Sequence, residues 1–177
     1  MFDVAFAKSK EYAESKKTEV DVWENSPFKF ITEMGNDERG SWGECFLANI
    51  LEECGAVVRW DDASNTNQEN GIYDLLVGDT RVEVKTAYFG KNKSWQHEGI
   101  LSDPDYDILV FVDVDYDCIH FSCIDQERVA CYALKGEQDP VLGKKYTGRK
   151  NEKNKFKFDF SPTTLRKAQG ADMSYAY

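Results

Sequence analysis

Asp74, Glu83 and Lys85 are the residues whose types and spacing could do chemistry. They lie within residues 72–87, which read Ile-Tyr-Asp-Leu-Leu-Val-Gly-Asp-Thr-Arg-Val-Glu-Val-Lys-Thr-Ala. Two short apolar-rich runs flank Gly78-Asp79, which is a strong local hairpin signal. With a two-residue loop there, Val77 faces Thr80, Leu75 faces Val82, and Asp74 faces Glu83. Side chains alternate along a strand, so Glu83 and Lys85 share one face while Val82 and Val84 share the other. Two carboxylates directly across a ladder repel each other. A bound divalent cation reverses the sign of that interaction. The hairpin therefore reads as half of a metal site with a lysine beside it. A solvated polar face on an ordinary hairpin would present the same residues.

The elements around the hairpin must position this face. Upstream, Asn36 or Asp37 can cap a helix that runs to about Glu53, with Gly55 placed to end it. Phe46, Leu47, Ile50, Leu51 and Cys54 recur at helical spacing as its buried stripe. Glu44 falls at the flank of that stripe. A carboxylate there costs energy unless it is paired, bound to something or able to snorkel to water. Residues 56–60 form a short strand-like run, and the polar residues 61–71 form a loop. Residues 88–104, with Trp95, Gln96 and His97, read as a loop or short helix. Ile108-Leu-Val-Phe-Val112 is an unbroken apolar run suited to a strand covered on both faces. Residues 118–124 return as its neighbour after a turn at 115–117, and 126–134 read as a short helix. Lys155-Phe-Lys-Phe-Asp-Phe160 alternates as a strand with one basic edge, and Ser161-Pro162 opens a final helix. Residues 2–17 suit an amphipathic helix, and 18–30 an extended linker broken by Pro27.

Composition sets the frame. The 177 residues make one domain: a core at about 37–134, an N-terminal extension at 1–36 and a basic strand-helix segment at 135–177. A hydrophobic fraction of 41% and an aromatic fraction of 14% support a real core. No apolar run approaches the roughly 20 residues needed to span a bilayer. The N-terminus lacks the basic start and apolar stretch of a signal peptide, so a cytoplasmic protein is expected. The five cysteines are irregularly spaced with no Cys-x-x-Cys, which argues against a zinc ribbon or redox pair. Cys45 and Cys54 read as core thiols, and His97 and His120 as structural. The net charge is −10, but residues 135–177 carry ten Lys or Arg against five Asp or Glu. Lys144, Lys145, Arg149, Lys150, Lys153, Lys155 and Lys157 are interleaved there with Tyr146, Phe156 and Phe158. Such a segment could neutralise nucleic-acid phosphates, or form a solvated basic loop and strand.

Glu44 on a helix, Asp74 on one strand and Glu83-Val84-Lys85 on the next resemble the PD-(D/E)xK, or restriction-endonuclease-like, nuclease superfamily. The resemblance covers roughly residues 37–113, with Tyr73 standing where the signature has Pro. It implies an α/β fold with an αβββαβ core, in which a central mixed sheet is flanked by helices. It also implies a Mg²⁺-dependent DNA endonuclease, with Mn²⁺ as a substitute ion. On that pattern Asp74, Glu83 and the Val84 backbone carbonyl would hold the metal. Lys85 would act on the attacking water or the developing charge, and Glu44 would be an auxiliary ligand. Gln96 would be an accessory contact, since some relatives carry a Gln after the Lys, and the basic C-terminal residues would hold DNA.

Two further readings use the same residues. One keeps the fold and makes the chain a Holliday-junction resolvase, acting as a symmetric homodimer, or a DNA-end exonuclease. The other is a non-catalytic acidic protein that binds a basic partner, as an inhibitor or DNA mimic does.

Overall fold

The computed structural model describes residues 6–11, 21–60, 73–101, 105–127, 129 and 155–163. Helical backbone at 6–11 matches part of the expected N-terminal helix. Turns across 22–29 lead to a short helix, Phe30–Glu33, and then to the long helix α1, Asn36–Glu53. Gly35, rather than Asn36 or Asp37, caps α1. The Gly35 N–H donates to Glu38 Oε2 at 2.8 Å, while the Asn36 side chain accepts from Arg39. The helix stops at a Schellman motif: Gly55, at φ 88°, donates to the Glu52 carbonyl and Ala56 to that of Leu51.

The strands are β1 Val58–Trp60, β2 Leu75–Val77, β3 Thr80–Tyr88, β4 Trp95–Leu101, β5 Ile108–Val114, β6 Ile119–Asp125 and β7 Lys155–Phe160. Five of them form a mixed sheet in the order β1-β2-β3-β5-β6. The β3–β5 pair is parallel and the other neighbours are antiparallel. The remaining two, β4 and β7, form a separate antiparallel pair. The protein is therefore mixed α/β. The hairpin adopts the expected register, Leu75 opposite Val82 and Val77 opposite Thr80, with Gly78 at φ 59° in the loop. The β5 run is buried on both faces, with Leu109, Val112 and Val114 fully covered. No helix among the described residues is long and apolar enough to cross a membrane.

Three layers result. Leu47 and Ala48 of α1 cover one face of the large sheet against Leu75, Val82, Val84 and Val112. On the other face, Trp95, Ile100, Phe158 and Phe160 of the β4–β7 pair pack on Ala87, Leu109, Phe111 and Ile124. Among the described residues that face is covered by the β4–β7 pair and Val129, where the expected core has helices flanking the sheet. Between the parallel strands β3 and β5, where the αβββαβ pattern has a helix, this chain runs through β4. Trp95 and His97 point inward there while Gln96 and Glu98 are exposed, which is a strand period rather than a helical one. The buried stripe of α1 also shifts. Gly43, Leu47 and Ala48 are buried, Phe46, Ile50 and Leu51 are half-buried, and Cys54 is exposed past the last full turn. Cys45 is half-buried, so neither it nor Cys54 is a core thiol.

Gly43 sets the distance between α1 and β3. A Cβ at that position would overlap the Thr86 side chain. The absence of a side chain brings the helix close to the strand one residue before Glu44.

Candidate functional site

Alternation along β3 sends Val82 and Val84 towards α1, while Glu83, Lys85 and Ala87 face the β4–β7 layer. Strand β2 is shorter than β3 and pairs only as far as Leu75 with Val82. Asp74 lies just beyond that pairing. Its backbone N–H donates to the Val82 carbonyl at 2.9 Å, and its Oδ2 accepts the Val84 N–H at 2.7 Å. A carboxylate thus occupies the place of the next backbone partner. The N–H and C=O of a strand residue leave by the same edge, so the Val84 carbonyl also lies on the edge that Asp74 meets.

Glu83 and Lys85, two residues apart on one face, form an ion pair with Lys85 Nζ donating to Glu83 Oε1 at 2.5 Å. Their side chains are largely buried, at 24% exposure for Lys85 and 17% for Glu83. Burial raises the pKa of Asp74 above the ordinary carboxylate range, against the opposing pull of the Val84 N–H and the Lys85 charge. Burial likewise raises that of Glu83, against the opposing pull of Lys85 and with the Asp74 charge adding to the rise. The two carboxyl groups lie close enough for each to influence the ionisation of the other.

Glu44 enters from the helix side. Burial raises its pKa first, followed by the Asp74 charge, with a smaller contribution from Glu83. The Trp60 indole lies close enough to favour its charged form. The geometry falls short of a hydrogen bond, and the Trp60 N–H has no partner. Glu44 therefore feels both strand carboxylates without joining them in one tight ligand shell. The three groups are not all within 4.8 Å of one another.

These residues border a cleft of about 830 Å³. Glu44 and Gly40 line it from α1, Asp74, Val84, Lys85 and Thr86 from the hairpin, and Gln96, His97 and Glu98 from β4. Glu83 is not among the residues that line the cleft and is linked to it through Lys85. Gln96 is exposed on β4 and shares the cleft with Lys85 and Asp74.

A comparison with protein-family models returned no match. A search of curated proteins returned no significant one.

The cleft wall supplied by β4 was missed in the sequence. Its signal was the alternation of buried Trp95 and His97 with exposed Gln96 and Glu98. His97 is structural here, as expected: its Nε2 lies 2.7 Å from Asp113 Oδ1, with both side chains fully buried. Of the residues expected to hold DNA, Lys144, Lys145, Arg149, Lys150 and Lys153 lie outside the described residues. Lys155 and Lys157 lie on β7, with their side chains outside what is described.

Chemically, the residues fit a hard divalent cation. Asp74 and Glu83 offer neighbouring carboxyl oxygens, where burial disfavours two uncompensated charges. A cation in place of a shared proton would satisfy both. Lys85 is the adjacent ammonium, fixed by its bond to Glu83.

Proposed function

We propose that the chain is a Mg²⁺-dependent DNA endonuclease of the PD-(D/E)xK type, in which Asp74, Glu83 and the Val84 carbonyl hold the metal. The observation that carries this reading is the pair of mostly buried, mutually interacting carboxyls, Asp74 and Glu83, with Glu83 ion-paired to Lys85 beside a cleft that Asp74, Lys85 and Glu44 line. As a purely structural device the arrangement is poor. It buries like charges that each resist ionisation, and such groups concentrate at functional sites. The mixed sheet, with the Glu-x-Lys strand in its middle and a helix across one face, also supports it.

When bound, Mg²⁺ would acidify a water and neutralise charge on the scissile phosphate. The chain's own residues have separate tasks. Asp74 is aimed by the Val84 N–H, which fixes one oxygen and leaves the other for the ion. Lys85, held at Glu83, would orient the attacking water and stabilise negative charge as it develops on the phosphoryl oxygens. Glu44 would accept a proton from a water in the cleft, a role suited to a carboxylate whose pKa is raised. Gln96 would position the phosphate backbone from β4.

The test is cleavage of supercoiled plasmid and of a synthetic four-way junction, with Mg²⁺ and with EDTA, beside Lys85→Ala. Metal-dependent cleavage lost in Lys85→Ala is the expected result. Cleavage that survives the substitution removes the mechanism. No cleavage of either substrate, with no Mg²⁺-dependent rise in melting temperature, removes the enzyme reading altogether.

A further inference from the structure

A second cluster of ligating side chains lies apart from the Asp74–Glu83 pair, at the turn between β5 and β6. Asp115, Cys118 and His120 each present a donor atom, and the three atoms all lie within 4.8 Å of one another. Cys118 Sγ is 3.4 Å from His120 Nε2. The turn builds this arrangement. Val114 pairs with Ile119, so Asp115 and Cys118 are the next pair outward, and the Asp115 N–H donates to the Cys118 carbonyl at 2.8 Å. Cys118 and His120, two residues apart, project on the same side of the chain. The Trp95 ring packs edge-on against the His120 ring at 5.3 Å and limits its rotation. The Asp117 carboxylate stands near the thiol.

We propose that Asp115, Cys118 and His120 form a binding site for a thiophilic divalent transition metal, Zn²⁺ first, with Asp117 or water completing the shell. The ligand set decides the class of metal. A thiolate and an imidazole suit Zn²⁺ and its neighbours, whereas Mg²⁺ requires oxygen donors throughout. The spacing fits as well. With Zn–S near 2.3 Å and Zn–N near 2.0–2.1 Å at a tetrahedral angle, the S···N edge is about 3.5 Å. The observed 3.4 Å matches that edge with no rearrangement of the turn. This site is separate from the carboxylate pair. Glu83 pairs with Leu109, six residues before Asp115 on β5, so the two sites are roughly 20 Å apart along the sheet.

Metal binding here releases a proton. The Cys118 thiol forms a bond from sulfur to the metal, and its hydrogen leaves to solvent as H⁺. Partial desolvation of the sulfur and the adjoining Asp117 and Asp115 carboxylates push the free thiol up to about 11. Closing the turn with a cation would also relieve the mutual repulsion of Asp115 and Asp117.

The experiment is a titration of the full chain with Co²⁺ under a thiol-free reductant, read as the near-ultraviolet charge-transfer band of thiolate-bound cobalt. One equivalent should develop the band, and Zn²⁺ should abolish it by displacement. Cys118→Ser should lose the band, and His120→Asn should weaken Co²⁺ binding at least tenfold. Cys45→Ser, Cys54→Ser and Cys123→Ser should retain it, as should Asp74→Asn, which separates this site from the cleft. Cys118 is exposed in a turn, and far-ultraviolet circular dichroism checks that its variant is folded. No band at millimolar Co²⁺ overturns the proposal. A band that survives Cys118→Ser in folded protein does so too.

Discussion

Replacing Asp74 by Asn removes one negative charge from the buried carboxyl pair and keeps an oxygen to accept the Val84 N–H. If both carboxylates were fully ionised at about 4 Å, their repulsion would approach 4 kcal/mol at an effective dielectric constant of 20. Lys85, 2.5 Å from Glu83, and proton uptake by the pair cancel part of this. Like charges on neighbouring strands are destabilising even where solvent screens them, and burial raises the cost here. We expect Asp74→Asn to stabilise the metal-free protein by about 1–2 kcal/mol. At about 2–4 °C per kcal/mol for a chain of this size, melting should rise by about 2–8 °C in EDTA. The order should reverse with Mg²⁺. A ligand at one hundred times its Kd stabilises the wild type by about 2.7 kcal/mol, and the Asn variant should gain almost none of this. Paired thermal melts in EDTA and in saturating Mg²⁺ measure both quantities. A variant less stable than wild type in EDTA would refute the claim that the carboxyl pair is a local liability. An unchanged Mg²⁺ response would refute the claim that Asp74 is a ligand.

Protonation should act on the metal-free protein in the same direction. The folded pKa values of Glu44, Asp74 and Glu83 are all raised by burial, so the folded state binds more protons than the unfolded state above the ordinary carboxylate pKa of about 4. Their contribution is complete below that value and is lost as pH rises through the raised folded values. Urea midpoints in EDTA should therefore fall as pH rises above that ordinary carboxylate value, while the Mg²⁺-dependent gain should grow over the same interval. Gly43→Ala should cost about 1–3 kcal/mol because the new methyl overlaps Thr86, and adding Thr86→Ala should recover part of the loss in a double-mutant cycle. His97→Leu should cost about 3–5 kcal/mol by urea denaturation, since it leaves the Asp113 carboxylate buried without its partner.

What could be read from the sequence was local. Gly78-Asp79 between two alternating runs set the hairpin register from Val77–Thr80 to Leu75–Val82, because a turn dipeptide and a period of two constrain neighbours directly; the ladder ends there, and Asp74 meets β3 through its N–H to Val82 and its carboxylate to Val84 instead of pairing with Glu83. The β5 run at 108–112 announced a strand covered on both faces because nothing polar interrupts it. The β4 strand was hidden by a register shift between His97 and Ile100, with Gly99 at φ 75°, which breaks the alternation midway. Its partner β7 lies more than fifty residues further along the chain, beyond any local signal. The clamp of Arg81 on Asp105 and Asp107, which joins the start of β3 to the approach of β5, is likewise a tertiary fact. Glu44 was legible as an unusual carboxylate on a half-buried flank. Its approach from the opposite side of the sheet was not legible, because it depends on how closely Gly43 lets α1 approach β3. The exposure of Cys54 follows from where the helix ends relative to the sheet, which an apolar stripe does not encode.

The bond from the Val84 amide to Asp74 Oδ2 turns a backbone proton into an internal reporter. An amide proton shared with a carboxylate resonates at a position that depends on the charge held by that oxygen. Val84 stands between Glu83 and Lys85, so a single cross-peak in an amide correlation spectrum registers the ionisation of Asp74. The same peak registers the arrival of a cation and the release of the proton it displaces. It does so without substrate, dye or mutation, and it separates a protein that binds metal from one that merely tolerates it.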